Sequence, residues 1–137
     1  MIFIGKAPYR VSLLGGGSDL DWMVKEKGWG ICLGLPLNKY SYSVLNLLPS
    51  DAKKGILEYS HKETYKNLDE IVHPIIREVL KEFNIKSFVE LKTFGFAGGG
   101  SGLGGSASFL IALISSLVKA FKIKISIEKI IEIACSI

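Results

Sequence analysis

The residues best suited to chemistry form one run, Gly98–Gly99–Gly100–Ser101–Gly102–Leu103–Gly104–Gly105–Ser106–Ala107–Ser108. Glycines leave backbone N–H groups unshielded and permit positive φ, so such a segment can wrap closely around a phosphate. A helix starting directly after it would add unsatisfied first-turn amides and the positive end of its dipole. Ser106 falls in that first turn, where its hydroxyl can touch a phosphate oxygen or Mg²⁺, with Ser101 or Ser108 in support. A metal-bridged triphosphate is the expected ligand, because the metal offsets the charge that opposes phosphoryl transfer. The plainer alternative is a flexible loop in which Ser106 only caps the helix.

This run is not a Walker A loop, since Gly-Lys-Ser/Thr is absent and no lysine follows the glycines before Lys119. Nor is it a dinucleotide fingerprint: Lys119, Lys122 and Lys124 stand where an acidic residue would be needed. A second stretch, Ala7–Pro8–Tyr9–Arg10–Val11–Ser12–Leu13–Leu14–Gly15–Gly16–Gly17–Ser18–Asp19–Leu20, joins a strand arginine to an aspartate just past a glycine turn. Arg10 as a bidentate cation and Asp19 as a hydroxyl acceptor can flank a polyhydroxylated or phosphorylated molecule. Asp19 is equally able to serve as a plain helix cap, and Arg10 as a strand-surface residue paired to a carboxylate. His61 and His73 are too few for a metal cluster, and His73 beside Pro74 reads as a helix-edge residue. Glu26, Glu58 and Glu63 show no pattern of paired acid and base, and Trp22 and Trp29 could stack on a sugar or base but read more simply as a hydrophobic rim around Gly28.

These residues need a framework, and 137 residues with 48% hydrophobic content suffice for one domain. Ile2 to Ile4 and Arg10 to Leu14 read as two short strands parted by Lys6–Ala7–Pro8. The glycine turn follows, then a helix over residues 20–27, capped by Ser18 or Asp19 and ended by Gly28. Residues 30–35 and 40–48 read as paired strands around a turn at Pro36–Asn38. An excursion at 49–54 precedes a strand over 55–60. Asn67 and Glu70 have capping-box spacing before a helical pattern to Phe83, which Pro74 kinks or restarts. A strand over 87–94 leads into the glycine run, which holds seven glycines between Gly95 and Gly105. The helix after it carries a stripe of Leu103, Ala107, Leu110, Ile114, Leu117, Val118 and Phe121. Ser126 should cap a last helix with Ile127, Ile130, Ile131 and Ala134 at helical spacing.

The net charge of +4 arises from 17 basic and 13 acidic residues. The lysines are scattered rather than clustered with aromatics, so a solvated surface is expected, not a nucleic-acid interface. Cys32 and Cys135 lack metal or disulfide spacing, which points to a reducing, cytoplasmic setting. The longest aliphatic block, Phe109 to Val118, is too short to span a bilayer, and no membrane partner is expected. The chain stops at Ile137 inside a helical pattern, which reads as a fragment boundary.

Taken together, the two glycine-bearing stretches resemble the two front motifs of the GHMP kinases, a family that includes galactokinase, homoserine kinase and mevalonate kinase. The Gly-Gly-Gly-Ser-Asp-Leu ending of the first is most similar to the heptose-phosphate and fucose kinase branch. The resemblance implies an α/β (α+β) fold like domain 2 of ribosomal protein S5, with a mixed or antiparallel sheet packed with helices. It implies an N-terminal ATP-binding domain over residues 1–137, lacking a C-terminal half. ATP contacts would come from Gly99, Gly100, Ser101, Gly102, Leu103, Gly104, Gly105, Ser106 and Ala107, with Mg²⁺ touched by Ser106. Arg10, Gly16, Gly17 and Asp19 would line the acceptor side, for a sugar or sugar phosphate such as heptose 7-phosphate.

The chain departs from the family pattern in three respects. Gly98 and Gly99 replace prolines ahead of the loop, Gly105 replaces the first of paired serines, and no residue matches the catalytic aspartate, which lies beyond the loop in the family. The isolated chain is therefore expected to transfer little or nothing, and to form a complete site only with a second piece. The alternative is a non-catalytic nucleotide- or phosphosugar-binding module.

Overall fold

Alternation of apolar and polar residues builds a mixed five-stranded sheet. The computed structural model describes residues 1–18, 20–97 and 100–137. The strands are β1 (Ile2–Leu14), β2 (Leu33–Leu47), β3 (Gly55–Glu58), β4 (Lys62–Tyr65) and β5 (Val89–Phe94), in the order β1-β2-β5-β3-β4. The β3–β5 pair is parallel and the other pairs are antiparallel. The helices are α1 (Asp21–Lys27), α2 (Pro74–Glu82), α3 (Gly105–Ala120) and α4 (Ile127–Ser136), with a short 3-10 turn at Leu68–Glu70. The expected α/β class and S5-like mixed sheet with helices are what the structure has.

The core lies between the sheet and the helices. Leu45, Leu57, Val89 and Leu91 from the strands meet Ile76, Val79 and Leu80 of α2 and Leu113, Ile114 and Leu117 of α3. Burying each such aliphatic side chain contributes about 1.5–3 kcal/mol before entropy is counted. The helix α3 approaches β1 so closely that a Cβ on Gly5 would run into the Ala112 carbonyl oxygen. Ser43 and Ser116, both fully buried, satisfy each other across that interface at 2.9 Å.

The two expected strand breaks do not occur. β1 runs unbroken through Pro8, because β1 is the sheet edge and an edge strand can spare an N–H. A register shift between Pro8 and Arg10 takes up the irregularity. β2 likewise runs through Pro36, pairing it with Arg10. Its other side is paired by β5 only from Tyr42 to Leu47, so Pro36 interrupts no ladder there. Strand β4, polar and four residues long, carried no clear sequence signal.

Helix limits show a similar mixture. Pro74 starts α2 at its first turn instead of kinking a longer helix, and His73 is the cap. Asn67 accepts the Asp69 amide at 3.4 Å and caps only the 3-10 turn. Ser126 caps α4 as expected, accepting from Lys129 N at 3.2 Å. The buried stripe of α3 is rotated from the expected one: Ser108, Ala112, Leu113 and Ser116 are buried, whereas Ala107 is exposed. In α4 only Ile133 is buried, and Ile127 and Ile131 face outward. Ser18 does not cap α1, whose N-cap is Leu20 with no side-chain bond; Gly28 ends that helix in the left-handed region, as expected.

Candidate phosphate-loop site

Strand β5 delivers the chain to the glycine run, and α3 carries it away. Gly100, Gly102 and Gly104 all have positive φ, at 80°, 73° and 71°. A side chain at Gly100 or Gly102 would meet no atom within 4 Å, so these residues border open space. Glycine is needed there for backbone conformation, not for lack of room. Gly104 is the N-cap of α3 and supplies no side-chain bond, leaving the first-turn amides uncapped from that side. Ser106 and Ala107 are exposed in this first turn.

Arg10 joins the first motif to the loop. Its amide donates to Leu103 O at 3.0 Å, using the edge of β1 that no strand covers, and its Nη1 donates to Gly102 O at 2.9 Å. The side chain lies against Gly104, where a Cβ would stand 3.1 Å from the Arg10 Cζ. Arg10 therefore pairs with loop carbonyls instead of a carboxylate. Together with Gly100, Ser101, Gly102, Gly104, Gly105, Ser106 and Ala107 it lines a cleft of about 340 Å³. Ser108 does not face this space: it is buried, and its hydroxyl donates to Pro8 O at 2.7 Å.

Of the other expected positions, Leu103 is half-buried and contributes its carbonyl to Arg10. Gly16 and Gly17 lie in the turn after β1 and do not line the cleft. That turn is pinned to the chain beyond α1 by Ser18, whose Oγ lies 2.7 Å from Gly15 O and 2.5 Å from Ile31 O and accepts the Ile31 amide at 3.1 Å. Asp19, Gly98 and Gly99 lie outside the described residues.

A second cleft, of about 440 Å³, shares Gly105 and Ser106 with the first and continues past Tyr9, Tyr59, Ser60, His73, Thr93 and Phe109. Sequence reasoning missed it, because its walls come from segments far apart in the chain. Tyr9 is its buttress: the ring is buried, and the hydroxyl donates to Ala97 O at 3.3 Å and accepts the Ala97 amide at 3.4 Å. Across the cleft, Tyr59 donates to Glu63 at 3.1 Å. Burial and that carboxylate push the Tyr59 hydroxyl pKa above its ordinary value. Burial also holds the His73 imidazole below 6.5, against the pull of Glu63 and of its own backbone. Among the described residues, no group of three or more His, Cys, Asp or Glu side chains stands ready for a metal. No described helix is long and apolar enough to cross a membrane.

The fold is shared with solved kinase structures. The model of the GHMP kinases N terminal domain matches residues 70–137, and this match supports the assignment of the chain to the GHMP kinases. It is 27% identical over 143 residues to D-glycero-alpha-D-manno-heptose 7-phosphate kinase of Campylobacter jejuni, covering 96% of this chain and 42% of that protein. A D-glycero-D-manno-heptose 1-phosphate kinase structure from Bacteroides thetaiotaomicron superposes with a TM-score of 0.82 at 17% identity, over 98% of this chain and 46% of the other. Galactokinase from Lactococcus lactis, complexed with galactose, gives 0.76 at 18% identity, over 97% and 36%. The chain thus spans less than half the length of these relatives.

Proposed function

We propose that residues 1–137 are the N-terminal, ATP-binding part of a small-molecule kinase that phosphorylates a sugar or sugar phosphate. The observation carrying this reading is the loop that is open at Gly100 and Gly102, rests on Arg10 at Gly104, and leads into the uncapped N-terminus of α3. The residues fit a Mg²⁺-bound triphosphate: amides of the loop and the first α3 turn are the donors, and the exposed Ser106 hydroxyl is the oxygen ligand available to the metal. The metal, when bound, would neutralise charge on the transferring phosphoryl group.

The chain's own residues supply positioning. Arg10 holds the loop through Gly102 O, and its remaining guanidinium donors are available to an anionic group in the cleft. On this reading, Gly16, Gly17 and Asp19 are assigned to acceptor binding and Gly99 to nucleotide binding. The heptose 7-phosphate kinase relative motivates the proposal of a phosphorylated heptose as acceptor. A group that orients or deprotonates the acceptor hydroxyl would come from a C-terminal portion, so residues 1–137 alone bind nucleotide without efficient transfer. A reducing, cytoplasmic setting suits such a reaction.

Titration of the chain with Mg-ATP by calorimetry tests this, with Gly102→Val and Gly104→Val as comparisons. Each substitution places a branched side chain at positive φ, and affinity should fall at least tenfold. Equal binding by all three proteins would remove the loop from the nucleotide site. Nucleotide binding without turnover, even when the rest of a full-length kinase is supplied, would favour the non-catalytic module instead.

A further inference from the structure

His73 sits in the wall of the second cleft, with its ring between Tyr59 and Phe109 at centroid distances of 4.7 and 5.4 Å, edge-on to both. Its Nδ1 accepts the Ile76 amide at 3.4 Å and thereby caps α2. A ring nitrogen that accepts a hydrogen bond carries no proton, so the neutral imidazole has its single N–H at Nε2. Among the described residues, no hydrogen bond occupies Nε2.

The ring is also anchored from behind. Glu63 accepts the Val72 amide at 2.9 Å and the His73 amide at 3.4 Å, and the same carboxylate takes the Tyr59 hydroxyl. Carboxylate, tyrosine and helix cap thus hold one imidazole in one orientation. The cleft beside it, of about 440 Å³, has the volume for a flat heterocycle and shares Gly105 and Ser106 with the cleft at the glycine loop.

We propose that His73 is a base-selecting residue: its Nε2–H donates to a ring nitrogen of a purine whose phosphates occupy the glycine loop. This rests on the loop being the triphosphate site. A purine offers unprotonated ring nitrogens on several edges, whereas inorganic tripolyphosphate offers none. His73 should therefore act on nucleotide affinity and not on triphosphate affinity.

The test compares Mg-ATP with Mg-tripolyphosphate on the unmodified chain and on His73→Asn. Asparagine is a strong N-cap, so its side-chain oxygen can keep the Ile76 amide while the ring and Nε2–H are lost. The expected result is at least tenfold tighter binding of Mg-ATP than of Mg-tripolyphosphate by the unmodified chain. In His73→Asn, Mg-ATP should weaken about tenfold, Mg-tripolyphosphate should stay within about twofold, and the thermal midpoint should hold. Equal loss for both probes would show that His73 only shapes the loop, and no loss for either would show that it does not touch the base; each overturns the proposal. Should His73→Asn fail to fold, equal affinity of the unmodified chain for the two probes still overturns it while leaving the phosphate loop intact. Failure of the unmodified chain to bind either probe overturns the loop assignment and this proposal with it.

Discussion

The two ends of α3 use small residues for opposite purposes. Toward its middle and C-terminal half, Leu113, Ile114 and Leu117 are fully buried, Ser116 pairs with Ser43, and Gly5 is glycine because the Ala112 carbonyl leaves no room for a Cβ. At its N-terminus, Gly100 and Gly102 are glycine although nothing crowds them, because the backbone turns through positive φ. The first kind of glycine lets helix and sheet close on each other; the second keeps amides accessible. The open loop can be left loosely packed because the same helix is locked to the sheet a few turns away.

Gly5→Val should break the packed end outright. The added carbons meet backbone, which cannot swing aside, so a loss of about 3 kcal/mol or more is expected, read as a shift in urea midpoint or as failure to fold. Ser116→Ala should have a smaller effect at the same end. It leaves the buried Ser43 hydroxyl without its partner and costs about 1–3 kcal/mol, and adding Ser43→Ala should recover part of the loss. Recovery would show that the pair matters for satisfaction of buried hydroxyls and not for packing alone.

Gly100→Ala probes the open end. Left-handed backbone strain of about 1–2 kcal/mol is the whole expected stability cost, since no atom is displaced. Mg-ATP affinity should nevertheless fall severalfold, a combination that Gly5→Val cannot produce. An unchanged affinity together with a large stability loss would mean that the two ends are not separate in function.

The smallest effect expected is on acidification. Burial lowers the folded-state pKa of His73 below its 6.5 reference, so the unfolded chain takes up this proton before the folded chain does. Stability from this group is complete above pH 6.5 and declines as pH falls from there through the folded-state value. Chemical denaturation at pH 7.5 and 5.5 should show a decline in the unmodified chain that His73→Asn reduces. Asp69, paired with Lys81 on the exposed surface, has its pKa lowered chiefly by hydrogen bonding to Lys81.

Much of the loop end was legible because its signals are local. Glycine density, the serine in the first helical turn and the apolar run after it lie within a short stretch, and local conformation follows from residue type. Strand continuity was less legible. Pro8 and Pro36 look like breaks until the sheet order puts one on an edge and the other beyond the reach of β5. Ala107 fits the helical stripe by spacing yet faces the cleft, because the docking angle of α3 rotates the buried face toward Leu113 and Ser116. Arg10 was identifiable as a functional candidate, but its bond to Gly102 spans 92 residues and carries no local sequence signature.

By itself the amino-acid order determined where glycine permits a left-handed backbone, which segments are apolar enough to pack, and that a glycine-rich loop precedes a strong helix. These are short-range consequences of missing side chains, fixed rotamers and hydrophobic periodicity. Tertiary structure decided that Arg10 reaches the loop, that Ser108 turns away to Pro8, and that Tyr59, His73 and Phe109 meet beside it. Those outcomes depend on strand order and helix docking, which arise from the summed burial of distant segments and so cannot be read from any one of them.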